Sequence, residues 1–252
     1  MTRKTFIAAL VLFAMILGGC GTVSTDTVAQ EEPAPVQTPS PTPEPTPEPT
    51  PEPTPEILHD PGPYLTEGFY LHYADDEGHD VIDDTVGFLY FDKNGIYTSG
   101  NEELDGLIRE KFAEELDFEN QTRDEMLEKI YNYMVFNYGY GGAVAQHTYG
   151  ETGWEVKDAY DMITHKKGNC YSYAALFAMY SRALGYQAEA VAGKFRAGEH
   201  SWTEMTIDGE VYVSDPEYQA CNDWMVSYFK MDEAKAYKNK YQNPNRESEY
   251  YS

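Results

Sequence analysis

The fold is decided by one stretch of sequence, KGNCYSYAALFAMYSRALGY at residues 167–186. Asn169 precedes an almost unbroken apolar run, and Gly185 follows Arg182 at its far end. These residue types are preferred at the start and the end of an α-helix. Because the run leaves little polar face, the pattern predicts a helix that begins at Cys170 and is buried on nearly all sides.

A cysteine at the start of a buried helix lies in particular electrostatic surroundings. The first turn has unpaired backbone N–H groups and the positive end of the helix dipole, and both favour thiolate over thiol. The same N–H groups can receive the negative oxygen of a tetrahedral intermediate. Cys170 is therefore predicted to be a nucleophile, whereas the same cysteine without partner residues is better interpreted as core packing.

A second stretch, EHSWTEMTIDGEVYVSDPEY at residues 199–218, predicts a β-hairpin. Asp208 and Gly209 form a strong two-residue turn signal between apolar runs, and Pro216 ends the ladder. Together with the preceding segment, the pattern predicts strands at residues 187–193, 200–207 and 210–215.

The register of this hairpin brings two titratable side chains together. The turn pairs Ile207 with Glu210. Extended to the strand ends, the same register puts His200 opposite Glu217 and makes Asp215 the diagonal neighbour of His200 on one face. The carboxylate of Asp215 can then fix the imidazole tautomer, leaving the other ring nitrogen to take the thiol proton. A slip of one residue would send the two side chains to opposite faces.

The motifs Lys-Gly-x-Cys, His-x-Trp-x-Glu and Asp-Pro, in this order, resemble the transglutaminase-like superfamily, which has a papain-like fold. The resemblance spans Thr122 to Gln219. It implies an α+β fold in which a central buried helix carrying the cysteine packs on an antiparallel sheet carrying the histidine and the aspartate. It further implies that Cys170, His200 and Asp215 are catalytic, that the chemistry passes through a thioester, and that no cofactor is needed.

The resemblance leaves several points open. Hydrolysis and amine transfer use the same residues, and Asn169 stands where the superfamily commonly has a small apolar residue. A second oxyanion donor is not assigned: Tyr138, Tyr140 and Trp154 are candidates, although packing is the favoured interpretation of each. A rival hypothesis is a non-catalytic surface binding module that retains the fold. A metal site is not predicted, because the histidines are scattered without paired ligand spacing.

The N-terminus has the pattern of a targeting segment. Basic Arg3 and Lys4 are followed by an apolar run, and Leu17-Gly18-Gly19-Cys20 resembles the lipobox of bacterial lipoproteins. We expect residues 1–19 to be a signal peptide and Cys20 to be lipidated, anchoring the chain to the extracytoplasmic face of a membrane. Residues 20–56 contain repeated PTPE units, which favour an extended, disordered tether.

Residues 57–252 are predicted to form a single globular domain. Residues 57–100 read as β-rich, with Asn94-Gly95 as a hairpin signal, and their role stays open between covering the cleft and binding a partner. Residues 101–252 read as the transglutaminase-like core with a C-terminal helical tail. Within it, Thr122 and Glu125 form a capping box at the start of one helix.

Charge and cysteine content limit the partners. The formal net charge is −25, which disfavours nucleic acid because phosphate binding needs a basic surface. The expected substrate is a peptide or protein, with cell-wall peptide among the candidates. The chain has three cysteines, too few for the set of disulfides that holds small secreted domains together. We expect the thiol of Cys170 to be free. Oligomeric state is not indicated by the sequence.

Overall fold

The computed structural model describes residues 58–141, 147, 151–222 and 225–246. All of them belong to the unit Thr54–Ser252. The predicted signal peptide, Cys20 and the proline-rich tether lie outside the described residues and stay predictions. In the ranges that are described, no helix combines the length and the apolar character needed to cross a bilayer.

Five short strands come first in the described chain, and helices and further strands follow in mixed order. The strands are β1 (Gly62–Thr66), β2 (Tyr70–Ala74), β3 (Asp84–Val86), β4 (Leu89–Phe91), β5 (Tyr97–Thr98), β6 (Gly139–Tyr140), β7 (Lys167–Gly168), β8 (Gln187–Phe195), β9 (Gly198–Ile207), β10 (Glu210–Ser214), β11 (Met231–Asp232) and β12 (Tyr241–Asn245). The helices are α1 (Glu102–Glu115), α2 (Arg123–Asn137), α3 (Glu155–His165), α4 (Cys170–Ala183), α5 (Pro216–Cys221) and α6 (Glu233–Lys238).

The N-terminal strands form two small antiparallel sheets, β1-β2 and β3-β4-β5. The connection between β4 and β5 contains the predicted Asn-Gly turn. The carboxylate of Asp92 accepts the backbone N–H groups of Asn94 (2.8 Å) and Ile96 (3.0 Å), and Gly95 has φ +72°, a conformation that glycine adopts without strain.

This N-terminal region packs against the C-terminal end of α4. Gly185, with φ +84°, lies against Pro63 and Leu71, and the Arg182 guanidinium sits 5.1 Å from the Phe88 ring centroid. Because α4 has 14 residues and is therefore about 20 Å long, Cys170 lies at the opposite end. The contacts at Gly185 and Phe88 are thus at the end of α4 opposite the thiol, and the role of residues 57–100 stays open.

Helices α2 and α4 begin where the sequence predicts. Thr122 and Glu125 form the reciprocal capping box of α2, with N···O distances of 2.8 and 3.3 Å. Helix α3 is tied to α4 and β8 through the buried carboxylate of Glu155, which pairs with Arg182 at 2.7 Å and accepts the N–H of Ala190 at 2.5 Å. This buried ion pair fixes how α4 lies on the sheet.

Five strands form the main antiparallel sheet, in the order β11-β10-β9-β8-β12. Asp208 and Gly209 make the two-residue turn between β9 and β10 with φ +52° and +81°, as a type I′ turn requires. Ile207 pairs with Glu210, and Thr203 pairs with Ser214. The predicted register is confirmed.

The two faces of this sheet carry different neighbours. One face receives α4, where the Thr203 hydroxyl donates to the Ala174 carbonyl oxygen at 2.9 Å and Met205 is fully buried. The other face carries a second apolar cluster, whose members are Val191, Phe195, Trp202, Val213, Tyr218, Tyr228, Met231, Ala236 and Tyr241. A buried helix beginning with cysteine thus packs on an antiparallel sheet, and the predicted α+β class is confirmed.

Three expectations are corrected by the structure. Residues 194–199 were expected to connect two strands, but β8 and β9 extend through them to a tight turn at Arg196, whose φ is +57°. Glu217 was expected opposite His200 in the ladder, but Pro216 starts α5 instead, because proline cannot donate to a ladder and is suited to the first helical position. The C-terminal region is not a helical tail alone, since β11 and β12 add edge strands to the sheet.

Candidate active site

Cys170 is the first residue of α4. The Asn169 side chain caps this helix by accepting the backbone N–H of Ser172 at 3.2 Å. This cap holds the first turn in place, so the thiol lies beside the free N–H groups at the positive end of the helix dipole. The residue is half-buried and its thiol is free, which leaves it reachable from solvent.

His200 and Asp215 meet on one face of the β9-β10 hairpin. Their Nε2 and Oδ2 atoms are 2.6 Å apart, and the residues are 7% and 1% exposed. The pair forms because the two-residue turn fixes the register, which makes the two positions diagonal neighbours. A carboxylate bonded to Nε2 orients the ring and leaves Nδ1 to act on another group.

Cys170 acts electrostatically on His200, through a side-chain hydrogen bond and through its charge. Burial lowers the pKa of His200, but the charge and hydrogen bond of Asp215, together with those of Cys170, outweigh burial and raise it to about 11. The imidazolium form is therefore favoured at neutral pH. The structure places the side chains of His200 and Asp215 in direct contact, and Cys170 influences the same histidine.

The carboxylate of Asp215 accepts hydrogen bonds from two groups besides His200. Its Oδ1 accepts the backbone N–H of Tyr218 at 2.8 Å, and its Oδ2 also accepts the Tyr241 hydroxyl at 2.7 Å. Tyr241 belongs to the edge strand β12, 26 residues away in sequence, and its ring packs on Phe195 and Trp202. Sequence reasoning missed this tyrosine, since no local pattern links it to Asp215.

Tyr241→Phe is expected to destabilise the protein while keeping the ring in place. A hydrogen bond to a charged group contributes about 1.5 to 3 kcal/mol, so the free energy of unfolding should fall by about that amount in urea titrations. Tyr97→Phe is the matched control, because Tyr97 is another buried tyrosine in the cluster on the α4 side. Equal losses in the two variants would contradict a specific role of the Tyr241 hydroxyl.

A second carboxylate faces the histidine from α5. Glu217 is 7% exposed, and its Oε2 lies 3.8 Å from His200 Nδ1. Burial and then the charge of Asp215 raise the pKa of Glu217, opposed by the charge of His200 and a hydrogen bond from Cys221. Burial, followed by the charge of Glu217 and its hydrogen bond, raises the pKa of Cys221 to about 12.

The candidate oxyanion donors lie in different surroundings. The hydroxyl of buried Tyr138 is 3.3 Å from that of Tyr180, and buried Trp154 stacks on His147 at 4.5 Å between ring centroids. Tyr140 is 55% exposed, and its pKa is raised by partial burial and then by the charge of Cys170. Tyr138 and Trp154 are therefore packed in the interior, whereas Tyr140 is exposed.

One group of side chains could hold a metal ion. His200, Asp215 and Glu217 are all buried, and each offers one ligand atom within 4.8 Å of the others. Among the residues that the structure describes, no other group of histidine, cysteine and carboxylate side chains meets this spacing. The group overlaps the His200–Asp215 pair and includes neither of the described cysteines.

Comparison with protein families gives one match. Residues 110–216 match the model of the transglutaminase-like superfamily. The matched range contains Cys170, His200 and Asp215, and it ends before Glu217 and Tyr241. No curated protein matches the sequence.

Several solved structures are similar over part of their length. One is a candidate cysteine protease from Cytophaga hutchinsonii, with 18% identity and a TM-score of 0.35 over 58% of this chain and 50% of that one. Another is a TGase, with 16% identity and a TM-score of 0.37 over 47% and 34%. A third is the periplasmic domain of TgpA from Pseudomonas aeruginosa bound to ethylmercury, with 20% identity and a TM-score of 0.35 over 50% and 48%. This chain spans half or less of each.

Proposed function

Residues 110–216 belong to the transglutaminase-like superfamily, and on that premise we propose that this chain is a thiol enzyme acting on amide or peptide bonds. Cys170 is the nucleophile, His200 the acid and base, and Asp215 the group that orients the imidazole. The observation that carries this proposal is the 2.6 Å contact between His200 and Asp215, and Cys170 also helps to raise the pKa of the same ring. A buried imidazole placed between a carboxylate and a helix-start cysteine is the arrangement that thiol acyl transfer needs.

In the first step the Cys170 sulfur attacks the carbonyl carbon of the substrate amide. The carbonyl oxygen becomes negative, and the free N–H groups at the start of α4 stabilise it, at about 3 to 4 kcal/mol for one donor. The imidazolium of His200 then gives its proton to the departing nitrogen. The C–N bond breaks, an amine or ammonia leaves, and the acyl group remains on sulfur as a thioester.

In the second step a water molecule or an amine attacks the thioester. Neutral His200 now removes the proton of this nucleophile, and Asp215 stabilises the imidazolium that forms. Collapse of the intermediate releases an acid or a new amide and returns the thiolate. Hydrolysis and amine transfer thus use the same residues and differ in which nucleophile reaches the thioester.

The site of action proposed for this enzyme is the extracytoplasmic face of a membrane. Support comes from the sequence, in which a basic and apolar N-terminus precedes Leu17-Gly18-Gly19-Cys20. The PTPE repeats that follow would lift the domain away from the lipid surface, since proline-rich chains are extended. Mass spectrometry of the membrane fraction tests this, because acylation would appear as a mass increase on a peptide starting at Cys20.

A peptide library tests the reaction. The full chain is incubated with glutamine-containing and branched peptides, with and without a lysine-like amine, and the products are read by mass spectrometry. A peptide that gains the mass of the amine indicates transfer. A peptide that gains water indicates hydrolysis, either with cleavage of the chain or with release of ammonia from a glutamine side chain. Absence of any product change in both arms would favour the rival hypothesis of a binding module.

The two described cysteines should differ sharply in alkylation. Cys170 faces a histidine whose raised pKa keeps it cationic, and Cys221 has a pKa raised to about 12, so it stays a thiol at neutral pH. We expect iodoacetamide to label Cys170 quickly at mildly acidic pH and Cys221 slowly until the pH is strongly alkaline. Peptide mapping over time measures both rates, and equal, slow labelling would contradict the assignment of Cys170.

A further inference from the structure

A second buried carboxylate lies beside the reactive nitrogen of His200. Nε2 of the ring is engaged by Asp215 at 2.6 Å, so Nδ1 is the nitrogen left for proton transfer to a substrate. The Oε2 atom of Glu217 lies 3.8 Å from Nδ1, and His200, Asp215 and Glu217 are all buried. A reaction of Cys170, His200 and Asp215 does not itself need this third acidic group.

The place of Glu217 in α5 does not explain its burial. The residue lies in the first turn of this helix, where a carboxylate is favoured by the unpaired N–H groups and the helix dipole. An exposed side chain would gain the same interaction. Glu217 is instead 7% exposed, and burying a carboxylate is costly unless a partner compensates for the lost water. The ion pair with His200 supplies such a partner and holds the carboxylate at the reactive end of the ring.

The spacing of Nδ1 and Oε2 suits one substrate atom that contacts both. Hydrogen bonds between nitrogen and oxygen are about 2.7 to 3.2 Å long. Because the 3.8 Å between Nδ1 of His200 and Oε2 of Glu217 is less than twice that length, a single nitrogen atom can lie within hydrogen-bonding distance of both. In the proposed reaction this atom is the leaving nitrogen of the amide, since it receives the proton of Nδ1.

We propose that Glu217 is a further catalytic residue, whose carboxylate accepts an N–H of the leaving nitrogen while the tetrahedral intermediate breaks down. The inference rests on the proposed thiol reaction. When Nδ1 gives up its proton, the leaving nitrogen becomes positive, and the carboxylate stabilises this charge through a charge-assisted hydrogen bond. The C–N bond then breaks and its electron pair stays on nitrogen. A neutral amine or ammonia leaves, and Glu217 remains ionised.

This role distinguishes amide from ester substrates. The nitrogen of a primary or secondary amide carries at least one hydrogen that the Glu217 carboxylate can accept. The leaving oxygen of an ester carries no hydrogen of its own, so the carboxylate has nothing to accept from it. Glu217 is therefore expected to favour cleavage of amides over esters, whatever acyl group the substrate carries.

The test compares an N-alkyl amide with the matched alkyl ester of the acyl group that the peptide library identifies, using the full chain. Glu217→Gln keeps the size of the side chain and removes its charge. The amide-to-ester ratio of kcat/KM should fall by about 10- to 100-fold, as expected for the loss of a hydrogen bond to a charged group. Glu210→Gln removes an exposed carboxylate from the β9-β10 hairpin and, as the matched control, should keep the wild-type ratio.

The wild type supplies a second readout that needs no variant. Burial raises the pKa of Glu217 from its ordinary value. Its charged and titratable neighbours are His200, Asp215, Cys221, Tyr140 and Tyr173. Only the ionised carboxylate accepts the N–H, so the amide-to-ester ratio should fall as the pH is lowered through the pKa of Glu217. Titration of the groups that serve both substrates cancels in this ratio, and in Glu217→Gln the ratio should stay constant over the same pH range.

Two results would overturn the inference. One is a loss of equal size for amide and ester in folded Glu217→Gln, which would indicate a structural role alone. The other is an amide-to-ester ratio that does not change with pH in the wild type, and this result decides if circular dichroism shows that Glu217→Gln does not fold. Failure of the proposed function gives a different outcome, in which the wild type turns over neither substrate and no acyl group appears on Cys170.

Discussion

Replacement of Cys170 by alanine is expected to reduce amide turnover by at least about 10³-fold, toward the rate that substrate binding and oxyanion donors support without a nucleophile. Thioester formation needs the sulfur of Cys170. The fold should persist, because alanine is a strong helix former and position 170 is only half-buried at the start of α4.

The measurement is product formation from the peptide that the library identifies, together with thermal unfolding to verify the fold. Ser181→Ala is the matched control, since Ser181 lies on the same helix and its hydroxyl donates to the Phe177 carbonyl oxygen at 2.7 Å, away from the thiol. Turnover that survives in Cys170→Ala at the wild-type rate would contradict the thioester mechanism.

Asp215→Asn is expected to lower turnover by about 10⁴-fold, the size of effect seen when the carboxylate of a nucleophile–histidine–aspartate triad becomes an amide. In the wild type, three donors converge on the carboxylate: the Tyr218 N–H on Oδ1, and His200 and the Tyr241 hydroxyl on Oδ2. The asparagine amide has one oxygen and one NH₂ group, so in either orientation its NH₂ group points at a donor. If the NH₂ group takes the Oδ2 position, it opposes His200 and Tyr241, and the imidazole tautomer is no longer fixed. If it takes the Oδ1 position, it opposes the Tyr218 N–H, and helix α5 loses its cap.

The Asp215→Asn variant should also change the pH behaviour of the histidine. The charge of Asp215 is the largest influence that raises the pKa of His200 against burial, so the pKa should fall in the variant. NMR titration of the imidazole measures this directly. Asp208→Asn is the control, because Asp208 lies in the hairpin turn with φ +52°, where asparagine is equally well accommodated. An unchanged His200 pKa would contradict the role given to Asp215.

Much of the site could be predicted because its signals are local and strongly constrained. Asn169 before an apolar run sets the first residue of α4, and a two-residue Asp-Gly turn permits one register between β9 and β10. A slip would bury polar groups and expose Trp202, so the hydrophobic pattern enforces the same pairing. The positions of Cys170, His200 and Asp215 follow from these two constraints.

The remaining features depend on contacts distant in sequence. The segment at residues 241–245 is polar and contains Pro244, which is typical of loops, yet it pairs with β8 at the sheet edge, where proline is tolerated. Glu217 was expected in the ladder and instead lies on α5, because the chain turns at Pro216. No periodic pattern in the sequence predicts either contact. The positions of Tyr241 and Glu217 beside the site are therefore visible only in the three-dimensional structure.

The edge position of β12 has a consequence for biosynthesis. A nascent chain that has emerged only as far as residue 222 already contains the cysteine, the histidine and the aspartate, but it lacks the hydroxyl that steadies the carboxylate and the strand that closes this side of the sheet. In such an intermediate, the Asp215 carboxylate would lack the Tyr241 hydrogen bond, so the orientation of the imidazole would be less well fixed. The ordered arrangement of His200 and Asp215 would therefore be completed only after Tyr241 has been synthesised.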